Sequence, residues 1–325
     1  MNNTTLKKIS EVLNLSISTI SRALKNHPDI SERTKQRVKE LANTLDYEPN
    51  ANAIHLRTKK SNIFGLIVPS ISNFFYDSFI SAVEEESRRN GYSLIILQSG
   101  DNPEIEIENL KLCRQNRVSG LFACLSSGTE NIDAFKKFDD LDIPVIFFDK
   151  VPDIANTNKV CVADAASATL AATVLLEKQK RKVLAIFGNS HLSITKKRLT
   201  AFEKTIGKKS KLIIEHANSS QEAENISKEA LKQKPDSIFC MSDEILIGVM
   251  KTLQQAKLQV PKDIAVIAIS NGFIPKLYHP EITYVETSGY KLGKLAFSSM
   301  MACMAGSNFL QELTIESLLV EGGSL

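Results

Sequence analysis

Cysteine is scarce in this sequence and does not occur in pairs. The 325 residues include five cysteines, an odd number, and no two of them form a C-x-x-C motif. A small secreted scaffold held by disulfides needs an even set of cysteines, and a zinc ribbon needs closely spaced pairs. The sequence therefore argues against both classes and favours a protein of the reducing cytosol.

Long apolar runs are absent as well. No stretch reaches the roughly 18 consecutive apolar residues of a transmembrane helix, and the opening MNNTTLKKISEVLNLS lacks the apolar core of a signal peptide. Hydrophobic residues make up 43% and charged residues 24% of the chain, as in ordinary soluble proteins, and the length allows two or three domains. We expect a folded, soluble protein that is neither exported nor inserted into a membrane.

Motifs for catalysis and metal binding are missing. The five histidines, His27, His55, His191, His216 and His279, show no metal-ligand spacing. The sequence contains no G-x-S-x-G, H-E-x-x-H or P-loop motif. We therefore expect no metal, no cofactor and no enzymatic activity. A Ser-His-Asp site assembled only by the fold is the alternative that the sequence leaves open.

Positive charge is concentrated at one end of the chain. Residues 1–60 contain eleven basic and six acidic side chains, whereas the whole chain has a formal net charge of +3, so residues 61–325 are slightly acidic. A small basic head on a mildly acidic body is typical of a protein whose one end binds a polyanion. On the evidence of charge alone, an ordinary solvated helical surface is an equally good explanation.

The basic head has apolar residues at helical spacing. A first helix is predicted from Leu6 to near Asn14, a residue that tolerates the left-handed conformation of a tight turn. Ser16 is a suitable N-cap for a second helix over 17–24, and Ser31 for a third. Helix, short turn and helix form the pattern of a helix-turn-helix.

Two segments of the head carry a family resemblance. They read T-L-K-K-I-S-E-V-L-N-L-S-I-S-T-I-S-R-A-L-K (5–25) and L-D-Y-E-P-N-A-N-A-I-H-L (45–56). Both resemble the DNA-binding domain and hinge of the lactose-repressor (LacI/GalR) family. The resemblance implies a helix-turn-helix DNA-binding domain over residues 1–49, a hinge helix or linker over 50–60, and a two-lobed effector-binding and dimerisation domain over 61–325.

The resemblance also implies roles for ten residues of the head and hinge. It implies base-edge contacts in the major groove for Ile17, Ser18 and Arg22, phosphate contacts for Thr5, Ser16, Thr19, Ser21 and Asn50, and a minor-groove hinge helix at Ala53 and Leu56. Many relatives carry Arg or Gln after the hinge alanine, whereas this chain has Ile54. A linker role for Leu56, packed on its neighbour, is the alternative.

From residue 61 onward, short apolar strands alternate with amphipathic helices. Two successive series of these units predict two α/β lobes with parallel sheets and a cleft between them. Strands are predicted at 63–68, 93–97, 120–124, 145–148, 160–162, 183–187, 211–215, 237–240 and 264–269, followed by a helix over 288–304 and a last strand over 313–320.

The expected fold class is therefore α/β, with a small all-α helix-turn-helix head joined to a body that resembles the periplasmic binding proteins. We expect the N-lobe to comprise about 61–160 plus about 288–315. The C-lobe is expected to comprise about 161–287 plus the C-terminal end.

Eight residues of the body are candidates for effector binding. The resemblance supplies Asn73, Phe75 and Tyr76 in G-L-I-V-P-S-I-S-N-F-F-Y, Asp149 after I-P-V-I-F-F, Arg198 in R-x-x-A-F, Asp243 in S-D-E and Asn271 in A-I-S-N, and Asp164 follows the first crossover strand. Carboxylates and a guanidinium suit a ligand with several hydroxyl groups, since they accept and donate in pairs. The alternatives are a core aromatic cluster for Phe75 and Tyr76 and a helix N-cap for Asp164.

The body departs from the family pattern at several positions. Phe74 and Ser288 stand where proline is usual, Gln179-Lys180 replaces Gly-His, and Ser270 replaces an acidic residue. These departures leave the effector open among sugars, nucleosides and purines, with a sugar or sugar derivative as the first expectation.

Together these observations predict a transcriptional regulator, in the simplest case a repressor, whose affinity for operator DNA depends on a small-molecule effector. One head reads only a half-site, so a pseudo-palindromic operator requires a homodimer. The sequence has no C-terminal leucine heptad of the kind that would indicate a tetramer, so a dimer is the expected assembly. We expect a cytoplasmic, nucleoid-associated protein. An effector-dependent activator is an alternative, and so is a stand-alone sugar-binding protein, which would leave the basic head unexplained.

Overall fold

Two compact units make up the chain, residues 1–60 and residues 61–325. The structure is a computed structural model, and it describes residues 5–47, 61–307 and 312–325. The predicted hinge positions Asn50, Ala53 and Leu56 therefore lie outside the described residues.

The first unit contains three short helices, α1 (Leu6–Leu13), α2 (Ile17–Leu24) and α3 (Glu32–Thr44). The side chains of Thr5, Ser16 and Ser31 each accept a hydrogen bond from the backbone N–H three residues later, which satisfies an otherwise unpaired donor at each helix start. Asn14 ends α1 in the left-handed conformation, with φ of 49°. The helices close over a small buried core of Ile9, Ile20, Ala23, Val38 and Ala42.

The second unit alternates strands and helices along its described residues. Its strands are β1 (Ile63–Val68), β2 (Ser93–Gln98), β3 (Gly120–Ala123), β4 (Val145–Phe148), β5 (Asn158–Val162), β6 (Lys182–Phe187), β7 (Lys211–His216), β8 (Ser237–Cys240), β9 (Ala265–Ser270), β10 (Thr283–Glu286), β11 (Glu312–Ile315) and β12 (Leu318–Val320). Its helices are α4 (Phe74–Arg89), α5 (Pro103–Gln115), α6 (Asp133–Lys136), α7 (Asp164–Glu177), α8 (Ser193–Ile206), α9 (Ser220–Ala230), α10 (Asp243–Gln255) and α11 (Gly289–Met304).

These strands form two six-stranded sheets, one in each lobe. The first has the order β11-β5-β4-β3-β1-β2 and is parallel throughout. The second has the order β12-β10-β9-β8-β6-β7 and is parallel except for β12, which runs antiparallel to β10. The central strands β3, β8 and β9 are fully buried, which explains their uninterrupted apolar sequences.

The end of the chain differs from its prediction. The single strand predicted over 313–320 is two strands, β11 and β12, which belong to different sheets. Glu316 and Ser317 separate them, and the chain passes there from one lobe to the other. The short strand β10, with the sequence T-Y-V-E, was not predicted because it contains one aliphatic residue and no apolar run.

The chain passes between the lobes at three places. It leaves the first lobe after β5, returns to it after β10, and leaves it again between β11 and β12. Helix α7 accordingly packs on β9 and β10, whereas α11 packs on β4, β5 and α4. Among the described residues, no helix has both the length and the apolar character needed to cross a membrane.

Candidate effector cavity and nucleic-acid interface

A cavity of about 500 Å³ lies between the two lobes. Its walls include residues that directly follow the carboxyl ends of β1, β2 and β4 in the first sheet and of β6, β8 and β9 in the second. Ligands of open parallel sheets bind at this edge, because the loops after the strands converge there.

Seven of the eight candidate effector residues line this cavity. They are Asn73, Phe75, Tyr76, Asp149, Arg198, Asp243 and Asn271. The eighth, Asp164, does not reach the wall and lies against Arg198 instead. Motifs far apart in the sequence are thus brought together at one place, and their contact with a ligand remains a prediction.

Tyr76 serves both the core and the cavity. Its ring is buried in the core of the first lobe, edge-on to Phe148 at 6.5 Å between centroids. Its hydroxyl donates a hydrogen bond of 2.8 Å to Asp149 Oδ2. Burial, followed by the charge of Asp149, raises the pKa of Tyr76 well above its ordinary value, so the hydroxyl stays protonated and remains a donor. The core alternative and the cavity interpretation of Tyr76 are therefore compatible.

An ion pair that was not predicted forms part of the first-lobe wall. Lys150 Nζ donates to Asp101 Oδ1 at 2.8 Å, and Ser127 Oγ donates to Asp101 Oδ2 at 2.5 Å. Burial opposes ionisation of Asp101, but the hydrogen bonds from Lys150 and Ser127 outweigh it and lower its pKa. A signal for this site was available, because Asp101 and Lys150 both follow strands of the same parallel sheet.

The second-lobe wall contains a buried ion pair. Arg198 contacts Asp164 Oδ1 through Nε at 2.9 Å and through Nη2 at 2.8 Å, and its Nη1 donates to the carbonyl of Met241 at 3.2 Å. Burial raises the pKa of Asp164 to about 6 even though Arg198 lies beside it. The alternative of a helix N-cap for Asp164 is wrong, because Ala163 holds that position and Asp164 is the first residue of the helix itself.

Asp243 is held at the start of α10 by the last residue of β9 and by the residue that follows it. Ser270 Oγ donates to Asp243 Oδ1 at 2.5 Å, and the backbone N–H of Asn271 donates to Oδ2 at 3.2 Å. Burial raises the pKa of Asp243 to about 6. Ser270 stands where the resemblance leads one to expect an acidic residue. Here the serine donates a hydrogen bond to the carboxylate of Asp243, which belongs to the neighbouring helix α10.

Two asparagines of the wall connect the lobes. Asn271 Nδ2 donates to the carbonyl of Phe74 at 3.1 Å, and its Oδ1 accepts from the N–H of Gly289 at 3.2 Å. Asn73 caps α4 with its Oδ1, while its Nδ2 donates to Glu244 Oε1 at 2.5 Å. The polar groups of both residues are already engaged between the lobes, so a ligand meets them as part of this network.

Further polar groups of the wall were missed. Thr195 is fully buried, and no residue in the described part of the chain forms a hydrogen bond with its Oγ1. Asn189 and Asn218 line the same side of the cavity. They follow β6 and β7, but isolated Thr and Asn residues carry no sequence signal that separates a ligand contact from an ordinary loop.

The second helix of the head presents an exposed polar face. Ile17 is 48% exposed, and Ser18 and Arg22 are exposed beside it. Thr19 and Ser21 are half-buried, while Ser16 Oγ lies 2.7 Å from Ser18 Oγ and 2.8 Å from Thr19 Oγ1. No ion pair occupies Arg22 within the described part of the chain, so its guanidinium is free to bind an external acceptor.

No cluster suited to a metal ion was found over 5–47, 61–307 and 312–325. The cavity offers carboxylates, amides and hydroxyls, and the head offers an exposed helix with an arginine. The first arrangement suits a small polar ligand, and the second suits base edges in a DNA groove.

Comparisons with known proteins agree with this arrangement. The model of the family described as "Periplasmic binding proteins and sugar binding domain of LacI family" matches residues 61–317, and that of "Bacterial regulatory proteins, lacI family" matches residues 5–50. The chain is 24% identical over 305 residues to the HTH-type transcriptional repressor PurR of Vibrio atlanticus (strain LGP32), covering 91% of each protein. It is 25% identical over 333 residues to the HTH-type transcriptional regulator MalR of Clostridium butyricum, covering 98% of each.

Among solved structures, the Lac repressor dimer bound to operator and the anti-inducer ONPF shares the fold, with a TM-score of 0.90, 20% identity and 99% of each chain covered. The two-lobed body with its helix-turn-helix head is the architecture of a ligand-responsive, DNA-binding transcriptional regulator. The chain belongs to the LacI family of bacterial regulatory proteins.

Proposed function

We propose that the protein is a repressor that binds a pseudo-palindromic operator as a homodimer and changes its operator affinity when a sugar or sugar derivative occupies the cavity. The observation that carries this proposal is the polar cavity between the lobes, in a chain that also has a helix-turn-helix head. The relatives that the chain matches are named as transcriptional regulators, which supports a binding protein rather than an enzyme. We infer a cytoplasmic, nucleoid-associated location from the same role.

Within the head, we infer that Ile17, Ser18 and Arg22 contact base edges, because they form the exposed face of α2. Thr5, Ser16 and Thr19 lie at or near the helix starts, where hydroxyls and backbone N–H groups bind phosphates and fix the register. The phosphate contact of Ser21, in the middle of α2, rests on the family resemblance. The domain boundaries at 49 and 60 and the hinge contacts of Asn50, Ala53 and Leu56 rest on the family resemblance.

Effector control follows from the shape of the body. A ligand that contacts both walls of the cavity changes the relative free energy of open and closed lobes, and any operator affinity that differs between those states changes with it. Such a coupling is typically about 1–3 kcal/mol, and a nearly complete switch requires more than about 5 kcal/mol.

The first experiment is selection of bound duplexes from a random DNA pool by the full-length protein, with sequencing of the enriched pool. We expect a pseudo-palindrome with two half-sites. Enrichment of a single half-site would contradict the dimer, and no enrichment in the presence of sugar and purine libraries would contradict the regulator. Binding to the selected duplex is then titrated with each library to find the effector and the direction of its effect.

A further inference from the structure

The two positive charges in the cavity wall are already neutralised by the protein. Lys150 is paired with Asp101 at 2.8 Å, and Arg198 with Asp164 at 2.8 Å. Both cations are largely buried, with side-chain exposures of 16% and 7%. Within the residues that the structure describes, the wall therefore offers an anionic ligand no free cation, and the ligand would have to compete with a carboxylate for each one.

Three further carboxylates of the same wall form no ion pair with a described residue, and the charge of Lys150 acts on one of them, Asp149, only at longer range. In the part of the chain that the structure describes, Asp149, Asp243 and Glu244 line the cavity and form no ion pair with a lysine, arginine or histidine. Their hydrogen bonds come from neutral donors, namely the hydroxyls of Tyr76 and Ser270, the N–H of Asn271 and the amide of Asn73. The cavity as a whole is thus negatively charged.

A separate observation indicates that a polar ligand completes this site. Thr195 lines the cavity at 0% exposure, and its hydroxyl Oγ1 has no hydrogen-bond partner among the described residues. A buried polar atom without a partner is costly, so native structures rarely leave one unless a ligand or water supplies the bond. The hydroxyl can accept from or donate to a ligand hydroxyl.

We propose that the effector of this cavity is a polyhydroxylated molecule without negative charge, that a protonated amino group increases its affinity, and that phosphorylated or carboxylated counterparts are excluded. This inference rests on the proposed function only in calling the ligand an effector. Neutral hydroxyls donate to Asp149 and Asp243, and an ammonium group adds Coulombic attraction in a partly closed site where water screens charges weakly.

The test uses sets of sugars that share one ring and differ in the charge of a single substituent. The full-length protein is titrated by calorimetry at neutral pH with glucose, glucosamine and glucose 6-phosphate, with galactose, galactosamine and galactose 1-phosphate, and with mannose, mannosamine and mannose 6-phosphate. Within the best-binding set, we expect the amino sugar to bind about tenfold or more tightly than the phosphate, with the neutral sugar between them.

Charge variants identify the source of the preference. Asp149→Asn keeps the size of the side chain, and asparagine tolerates the left-handed conformation, φ 57°, of this position. It should reduce the preference for the amino sugar over the neutral sugar several-fold. Asp140→Asn makes the same charge change on the exposed surface of the same lobe and should leave the preference unchanged. Thermal unfolding of each variant shows whether it is folded.

Several results would overturn the inference. They are a phosphate as the tightest ligand of a set, equal affinity for all three charge states, no binding by any sugar tested, and an unchanged preference in a folded Asp149→Asn protein. Failure of the proposed function looks different. The sugars would then bind in the predicted order while the affinity for the selected duplex stayed constant.

Discussion

Asp243 shows how a cavity residue can lower the stability of the fold. Its pKa rises from 3.8 to about 6 because burial disfavours the charged form. A group whose pKa is raised on folding contributes stability that is complete below pH 3.8 and is lost as the pH rises through about 6. At neutral pH the folded protein therefore bears the cost of a buried carboxylate, and the ligand proposed above offsets that cost.

Asp243→Asn is expected to stabilise the protein at neutral pH by about 1–2 kcal/mol, since it removes a buried charge while the amide Oδ1 can still accept from the N–H of Asn271 and the amide Nδ2 can donate to Ser270 Oγ. The gain should disappear as the pH falls below the pKa. Thermal unfolding followed across the acid to neutral range measures both effects. The ionisable residues that interact with Asp243, namely Cys240, Glu244, Tyr278 and Tyr284, are present in both proteins. The difference between variant and wild type therefore reports on the charge at position 243. A melting temperature that fell at every pH would contradict this account.

Arg198 stabilises the fold by pairing with the buried Asp164, independently of any contact with a ligand. Arg198→Ala leaves Asp164 buried without its partner, and breaking such a pair typically costs about 3–5 kcal/mol. We expect a clear loss in the free energy of unfolding in urea. The double variant Asp164→Leu/Arg198→Met, which removes both charges, should recover part of that loss. If Arg198→Ala were as stable as the wild type, the ion pair would not support the fold.

Arg22 is the residue of the head whose replacement separates base reading from phosphate binding. Arg22→Ala should relax the preference at one position of each half-site, because an arginine pair to a guanine is worth about 1–3 kcal/mol of discrimination. Lys39→Ala removes an exposed positive charge from α3 and should keep the ranking of sequences. Repeating the duplex selection with both variants is the measurement. A uniform loss of affinity for all sequences with Arg22→Ala would assign that residue to the phosphates.

At this scale the sequence predicted the residues that stand in recognisable motifs, including Asp149 and Asp243. It did not predict Lys150, Asp101 or Thr195. Asp101 and Lys150 follow strands of one parallel sheet, which predicts a shared edge. Their pairing and the burial of Thr195 depend on how strands distant in the sequence are arranged, and no local pattern gives that arrangement. The pairing of Arg198 with Asp164 was missed for the same reason, because 34 residues separate them.

Elements with a long apolar run were predicted well, since burial on both faces of a parallel strand leaves a continuous apolar sequence. The second helix has the predicted bounds, 17–24, because a serine cap fixes its start. The failures are β10 and the β11–β12 boundary. There, a strand of three or four residues is defined by its pairing partners, and pairing between distant segments is invisible to a local pattern.

Helices α4 and α11 pack closely because α11 has glycine at the contact. A Cβ atom on Gly293 would lie 2.7 Å from the carbonyl oxygen of Phe79 and 2.8 Å from Ala82 Cβ. Gly293→Ala should therefore destabilise the first lobe by about 1–3 kcal/mol despite the better helix propensity of alanine. Ser298→Ala, at an exposed position of the same helix, is the control and should be neutral or slightly stabilising. Urea unfolding of both variants measures the two effects. A Gly293→Ala protein as stable as the wild type would show that the helices can move apart without cost.

At the scale of the whole molecule, the head and the two lobes were predicted in their order along the chain. The lobes could be inferred because two series of strands and helices follow one another. The network that joins them, through Asn73, Glu244 and Asn271, could not be inferred, since each partner lies on a different lobe. A cavity between lobes is therefore expected from sequence, whereas its charge has to be read from the fold.

The three passages of the chain between the lobes have a consequence for how such proteins diversify. Neither lobe is a contiguous stretch of sequence, so replacing one lobe by recombination requires three separate junctions. Residues 1–60 are contiguous and form their own unit, so one junction exchanges them. A single fusion at this boundary therefore joins a head to a different body, whereas exchanging one lobe alone would have to preserve three junctions at once.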